Sequence, residues 1–171
     1  AGRNLLYVML NIPGLSPEEL FTEHLRFSEN HARDIPRPEE NFTNELTPHR
    51  HLRVGYLSSD FLNHSVGRNI LPLLSFHDRG KFEIFCYADV QRPDGITKIC
   101  RSNVDHWHTI VGMSDAEVAR MVRDDKIDVL VCLAGRFDNN RPLVCIHRAA
   151  PIQVSFHDAA TSGLEEMDYW L

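Results

Sequence analysis

Ile127-Asp128-Val129-Leu130-Val131-Cys132-Leu133-Ala134-Gly135 is the stretch on which the fold turns. Residues 127–133 form a nearly unbroken apolar run that ends at a glycine, which is how a strand buried on both faces reads. Immediately upstream, Ser114-Asp115-Ala116-Glu117 is a capping box, and Val118, Met121 and Val122 mark one helical face before Lys126. Downstream, residues 141–148 read as a helix and PIQVSF, residues 151–156, as a last strand. The same alternation continues toward the N-terminus. DHWHTIV (105–111) is strand-like, residues 96–101 form a weak helix, and FEIFCYA (82–88) is a buried strand. Val66, Ile70, Leu73 and Leu74 keep helical spacing, with Pro72 a kink or an early stop, and HLRVGYLSSD (51–60) is a strand running into a polar loop. Strands alternating with helices in this way specify right-handed βαβ units, and hence an α/β, Rossmann-like parallel sheet with flanking helices.

Outside that block the character changes. Ser16-Pro17-Glu18-Glu19 combines an N-cap serine, an N1 proline and an N3 glutamate ahead of Leu20, Phe21, Leu25 and Ala32, so residues 1–33 are read as a helical linker segment. Residues 34–50, crowded with prolines and charges, are read as an irregular, solvated linker, and residues 51–171 as the sheet domain. With 171 residues, 43% of them hydrophobic, the chain is long enough to bury a core of its own. Its net charge of −6 argues against nucleic acid and anionic lipid as partners. No apolar run reaches membrane-spanning length and the start lacks a full signal-peptide pattern, so a cytoplasmic location is expected. The cysteines, Cys86, Cys100, Cys132 and Cys145, are widely spaced and contain no CxxC pair, which reads as reduced core thiols.

Ligands of open parallel sheets sit beyond the carboxyl ends of the strands, so three loops concentrate the chemistry. They are Ser58-Ser59-Asp60-Phe61-Leu62-Asn63-His64-Ser65, Ala134-Gly135-Arg136-Phe137-Asp138-Asn139-Asn140 and His157-Asp158-Ala159-Ala160-Thr161-Ser162-Gly163. The first offers no G-x-G-x-x-G, and no G-x-x-x-x-G-K-[ST] occurs anywhere, which removes dinucleotide binding and P-loop hydrolysis from the leading readings. An imidazole at His64, where strand turns to helix, titrates near neutrality and can accept a hydroxyl proton or donate to a phosphate; its plainer role is to cap the helix. Asp60 is either a site carboxylate or an acceptor for nearby backbone N–H groups. Arg136 and Arg141 can pair with an anion or, more simply, with Asp138. Thr161, Ser162 and Gly163 suit sugar or diphosphate contact and equally an ordinary turn. The pairs His49/His51 and His106/His108 lack a third ligand at familiar spacing, so no metal site is expected.

Taken in order, LSPEELFTEHLRFSENHA, LRVGYLSSDFLNHSVG, KFEIFCYADV, VARMVRDDKIDVLVCLAG and RAAPIQVSF…TSGLEEMDYWL resemble the catalytic region of the O-linked N-acetylglucosamine transferase and SPINDLY family over residues 15–171. The resemblance implies a two-lobed glycosyltransferase (GT-B) preceded by tetratricopeptide repeats that present protein or peptide acceptors. The chain would then hold the linker helix and the N-terminal, acceptor-side lobe, truncated before the C-terminal donor-binding lobe, and would be inactive alone. Inverting transfer of N-acetylglucosamine from UDP-N-acetylglucosamine, or of fucose from GDP-fucose in the SPINDLY branch, to Ser and Thr hydroxyls is implied, with no metal or other cofactor. His64 matches the histidine of the family's S-x-D-F-x-x-H pattern, placed at the active site as a proton acceptor, and is the expected catalytic residue. Asp60, Asn63, Arg136, Thr161, Ser162 and Gly163 are the expected substrate-binding residues. The sequence departs from the family at two loops: Gly135-Arg136-Phe137-Asp138-Asn139-Asn140 replaces G-H-T-x-G-N or G-Y-T, and His157-Asp158-Ala159-Ala160 replaces the start of G-Y-P-x-T-[ST]-G. These departures leave open a non-catalytic protein-binding module on a degenerate lobe, or a protein O-fucosyltransferase.

Overall fold

A computed structural model describes residues 6, 8–35, 41–135, 139–158 and 162–171. Its elements, in chain order, are α1 (Pro17–Ala32), β1 (Leu52–Ser58), α2 (Ser65–Phe76), β2 (Phe82–Ala88), α3 (Gly95–Ser102), β3 (His106–Thr109), α4 (Asp115–Asp124), β4 (Val129–Leu133), a 3₁₀ helix (Pro142–His147), β5 (Ile152–Phe156) and β6 (Tyr169–Trp170). The six strands form one parallel sheet in the order β3-β2-β1-β4-β5-β6. After β3 the chain returns to the far side of β1 to lay down β4, so the order reverses between β1 and β4. That reversal is the topological switch point of a doubly wound sheet, and a crevice opens above it.

Both faces of the sheet are covered, which explains the unbroken apolar runs. In β1 and β2, Val54, Tyr56, Ile84 and Cys86 join Ile70 and Leu74 of α2 in one cluster. Leu57, Phe85 and Tyr87, one residue out of phase, join Val118 and Val122 of α4 and Val144 of the 3₁₀ helix in the other. Capping boxes start α1 at Ser16, α3 at Asp94 and α4 at Ser114. Pro72 does not stop α2, which continues to Phe76. Ile70 and Leu74, both fully buried, flank the proline and hold the last turn against the sheet. The segment read as a helix after residue 141 is a 3₁₀ turn ended by Arg148 in the left-handed region (φ 44). The short β6, beside Val154 and Ser155, was not anticipated, because two residues carry no periodicity.

Residues 41–50 contain no helix or strand, as expected, yet they are pinned to the lower end of the sheet. Asp128, just ahead of β4, accepts from both terminal nitrogens of Arg50 (2.6 Å each), from the Asn44 amide (2.7 Å) and from the Arg53 backbone N–H (2.8 Å). Burial works to raise the Asp128 carboxyl, but the Arg50 fork, the Arg53 N–H and the Asn44 amide outweigh it and hold the group below its usual value. A depressed carboxylate contributes stability that is present above its unfolded value, near 3.9, and is lost as pH falls through the folded value. Asp128→Ala should therefore cost about 2 kcal/mol at pH 7, and urea titrations should show the difference from the parent shrinking below about pH 4.

All four cysteines are buried thiols. Burial pushes Cys86 well above the usual thiol range and Cys100 up to about 11; the Cys132 contact (Sγ to Sγ 3.1 Å) and then burial do the same to Cys145. Because the thiolate is the reactive form, a disulfide reagent should label none of them rapidly in the native chain and all four in denaturant.

Candidate functional site

β1 delivers its end into the switch-point crevice. Phe61, fully buried and tilted against Trp107 (ring centroids 5.5 Å apart), anchors the loop and turns Ser58, Ser59 and Asp60 inward. Across the crevice, the loop after β4 supplies Asn140, which is 2% exposed. Its Oδ1 accepts from the Ser58 hydroxyl (2.8 Å) and the Ser59 backbone N–H (2.9 Å), and its Nδ2 donates to Asp60 Oδ2. The Ser59 hydroxyl donates to Asp60 Oδ1 (3.1 Å), and the Asp60 N–H to Ser58 Oγ (2.9 Å). The plainer reading of Asp60, an acceptor for local backbone N–H groups, is replaced by one in which side chains from two strand ends hold it.

His64 is the N-cap of α2, with extended backbone (φ −129, ψ 161), and its Nδ1 accepts from the Val66 N–H at 3.3 Å. Accepting at Nδ1 places the proton of a neutral ring on Nε2, so the outer nitrogen is a donor. Nδ1 also lies 3.9 Å from Asp60 Oδ2, which brings the ring and the Asp60–Asn140 pair into one cluster. Capping and site roles therefore coincide in one side chain. The close seat of α2 depends on Gly67: a Cβ there would stand 2.5 Å from the Asp60 carbonyl oxygen and overlap that of Leu62.

The remaining expected residues separate. Asn63 is exposed; its Oδ1 accepts from the Arg68 guanidinium (2.6 and 2.9 Å) and its N–H donates to Asp94 (2.6 Å). Ser162 and Gly163 meet α1: the Ser28 hydroxyl donates to the Ser162 carbonyl (3.3 Å), and a Cβ on Gly163 (φ +63) would stand 2.7 Å from the His24 carbonyl oxygen. Arg136 and Thr161 lie outside the described residues. Arg141 is paired with Asp115 (2.6 Å), the Met113 carbonyl (2.7 Å) and Asp89 (3.7 Å); Asp138 lies outside the described residues. His106 ends on Glu83 (2.8 Å) and His108 lies 3.1 Å from Asp125. The two departing loops touch, since Gly135 (φ +49) packs against the Asp158 carboxylate, leaving no room for a Cβ.

Asn140 is the functional candidate that sequence reasoning missed. It sits beside Asn139 in a polar loop, and only the fold shows that one is buried and the other exposed.

The model of glycosyl transferase family 41 matches residues 22–171. The chain belongs to that family. Among curated proteins it is 34% identical over 174 residues to the probable UDP-N-acetylglucosamine--peptide N-acetylglucosaminyltransferase SPINDLY of Arabidopsis thaliana, covering 99% of this chain and 19% of that protein. The SEC protein of the same plant, which carries the same enzyme description, is 32% identical over 123 residues, covering 70% of this chain and 12% of its own. Among solved structures, a mutant of Thermobaculum terrenum O-GlcNAc transferase superposes with a TM-score of 0.92 at 31% identity, over 99% of this chain and 32% of that one. The chain thus spans about a fifth of the SPINDLY relative's length. The family 41 match begins inside α1, so that helix and the sheet lie in one matched stretch, and the whole is a Rossmann-like lobe of the GT-B type.

Proposed function

We propose that this chain is the acceptor-side lobe of an inverting family 41 glycosyltransferase that moves N-acetylglucosamine from UDP-N-acetylglucosamine to Ser and Thr hydroxyls of proteins. The carrying observation is the His64–Asp60–Asn140 cluster, assembled from two strand ends at the switch point within the S-x-D-F-x-x-H loop. The relatives' names and the extent of the match support the reading. In it, His64 Nε2–H donates a hydrogen bond to an oxygen of the donor or acceptor, with the ring held in that orientation by the Val66 N–H at Nδ1. Asn140 fixes the Asp60 carboxylate and links it to Ser58 and Ser59. Asn63, Arg136, Thr161, Ser162 and Gly163 stay proposed substrate contacts. The donor nucleotide and the acceptor-presenting repeats belong to parts of the protein outside these residues, and the lobe alone does not turn over because the crevice needs both walls. No metal or other cofactor enters the proposed reaction. No helix among the described residues is long and apolar enough to cross a membrane, and four buried free thiols suit the reducing cytoplasm in which we place the protein.

The test supplies the full-length protein with UDP-N-acetylglucosamine, GDP-fucose and other nucleotide sugars alongside Ser/Thr-containing peptides, and follows intact mass. A donor-dependent gain of one N-acetylhexosamine is expected. Gain from GDP-fucose alone would change the sugar, and no gain from any donor would reject catalysis.

A further inference from the structure

A second cavity adjoins the cluster. It is a cleft of about 480 Å³ between α1 and the upper ends of β2 and β4, large enough for a long side chain with part of its backbone. Among the described residues its charged lining is Asp89, which follows β2, Asp115 in the first turn of α4, and Arg141. Two carboxylates therefore face one guanidinium, and they share it unequally. Arg141 sits 2.6 Å from Asp115 but 3.7 Å from Asp89, beyond hydrogen-bonding distance. The Asp89 side chain is nevertheless only 13% exposed. Burial pushes its carboxyl up; Arg141 opposes the rise and Asp115 adds to it.

Across the cleft, His31 presents an acceptor. Its Nδ1 lies 2.8 Å from the Phe27 carbonyl oxygen, which can only accept, so the proton of the neutral ring is on Nδ1 and the lone pair on Nε2. The imidazole also stacks on Phe27 (centroids 4.0 Å apart, 21° between planes), giving the cleft a flat ring wall. Among the described lining residues, a poorly compensated carboxylate, an imidazole lone pair and the amide oxygens of Gln91 and Asn139 supply acceptors, and two carboxylates outnumber one guanidinium. Its complement is a cationic donor on an apolar stem: charge-assisted hydrogen bonds to a desolvated carboxylate are the strong ones, and an alkyl or guanidinium group packs well on a ring face. An anion meets the wrong charge. Among the described residues no group of three or more side chains is placed to hold a metal ion.

We infer that this cleft binds the side chain of a lysine or arginine in a polypeptide. That the polypeptide is the glycosyl acceptor rests on the function proposed above. Asn140 lines the cleft and also holds Asp60, so a basic residue anchored there keeps neighbouring residues of the same polypeptide beside the Asp60–His64 cluster.

The test titrates the isotopically labelled chain with Nα-acetyl-lysine amide, Nα-acetyl-arginine amide, Nα-acetyl-norleucine amide and free N-acetylglucosamine, following backbone amides by NMR. The two cations should shift the amides of Asp89, Gln91, Asn139 and Asn140, with binding weakened by salt, whereas norleucine should leave them in place. Asp89→Asn should weaken the cations about tenfold or more, in line with one lost charge-assisted bond. Asn139→Arg, at an exposed position, should block the cleft with a tethered guanidinium and keeps the test decisive if Asp89→Asn unfolds. Equal shifts with norleucine, shifts with the sugar alone, or no shift with either cation would overturn the inference. Cation binding without sugar transfer by the full-length protein would reject the proposed catalysis and leave the cleft standing; transfer without cation binding would reject the cleft alone.

Discussion

Asn140→Ala should destabilise the chain by about 3 to 4 kcal/mol, measured by urea unfolding, although it removes only a few atoms. The buried amide satisfies Ser58 Oγ and the Ser59 N–H through its oxygen and Asp60 through its nitrogen, so alanine strips three groups of a partner at once. The costliest is Asp60, a carboxylate only 5% exposed that keeps the Ser59 hydroxyl as its remaining close donor of this set. Asn140→Asp separates shape from chemistry. It keeps the volume but sets a second carboxyl against Asp60, and two carboxylates in one site cannot both ionise cheaply. That variant should be destabilised at neutral pH and recover part of its stability in mild acid as the pair takes up a proton. A loss below about 0.5 kcal/mol for Asn140→Ala would mean that the network does not hold the crevice together.

Gly67→Ala should cost about 3 kcal/mol for the opposite reason, an added methyl with nowhere to go. The obstacles are the Asp60 and Leu62 carbonyl oxygens, which are backbone atoms of the loop that carries His64, so relief requires moving that loop or the start of α2. Gly95→Ala is the matched control. Gly95 opens α3 with nothing within 4 Å of a built Cβ, and alanine there should be neutral or stabilising by up to about 1 kcal/mol. Thermal or urea unfolding of the two variants separates close approach from ordinary helix propensity.

Gly67 also shows what was legible in the sequence. The absence of a G-x-G-x-x-G fingerprint removes dinucleotide binding from the leading readings, but a glycine in the first turn of α2 still lets helix and loop approach closely. The sheet is readable because its strands are buried on both faces: IDVLVCL and FEIFCYA have no polar alternation, and a capping box marks the helix before β4. β6 and the 3₁₀ turn were not readable, being too short for a period. Among candidate site residues, His64 and Asp60 are legible together because they sit in one contiguous loop at a strand end. Asn140 could not, since its burial is decided by contacts across some eighty positions of sequence. Ser162 and Gly163 are candidates by local composition and by the family's T-[ST]-G loop, and the contacts they make in the fold are with α1, more than a hundred residues earlier.

The His64 ring offers the most direct test of the proposed site. In full-length protein transferring N-acetylglucosamine to a peptide, His64→Ala should lower kcat about a hundredfold, whereas His64→Gln, which keeps an N–H donor without a titrating ring, should stay within about tenfold of the parent. Wild-type kcat in both variants would contradict a catalytic site at the β1–β4 crevice.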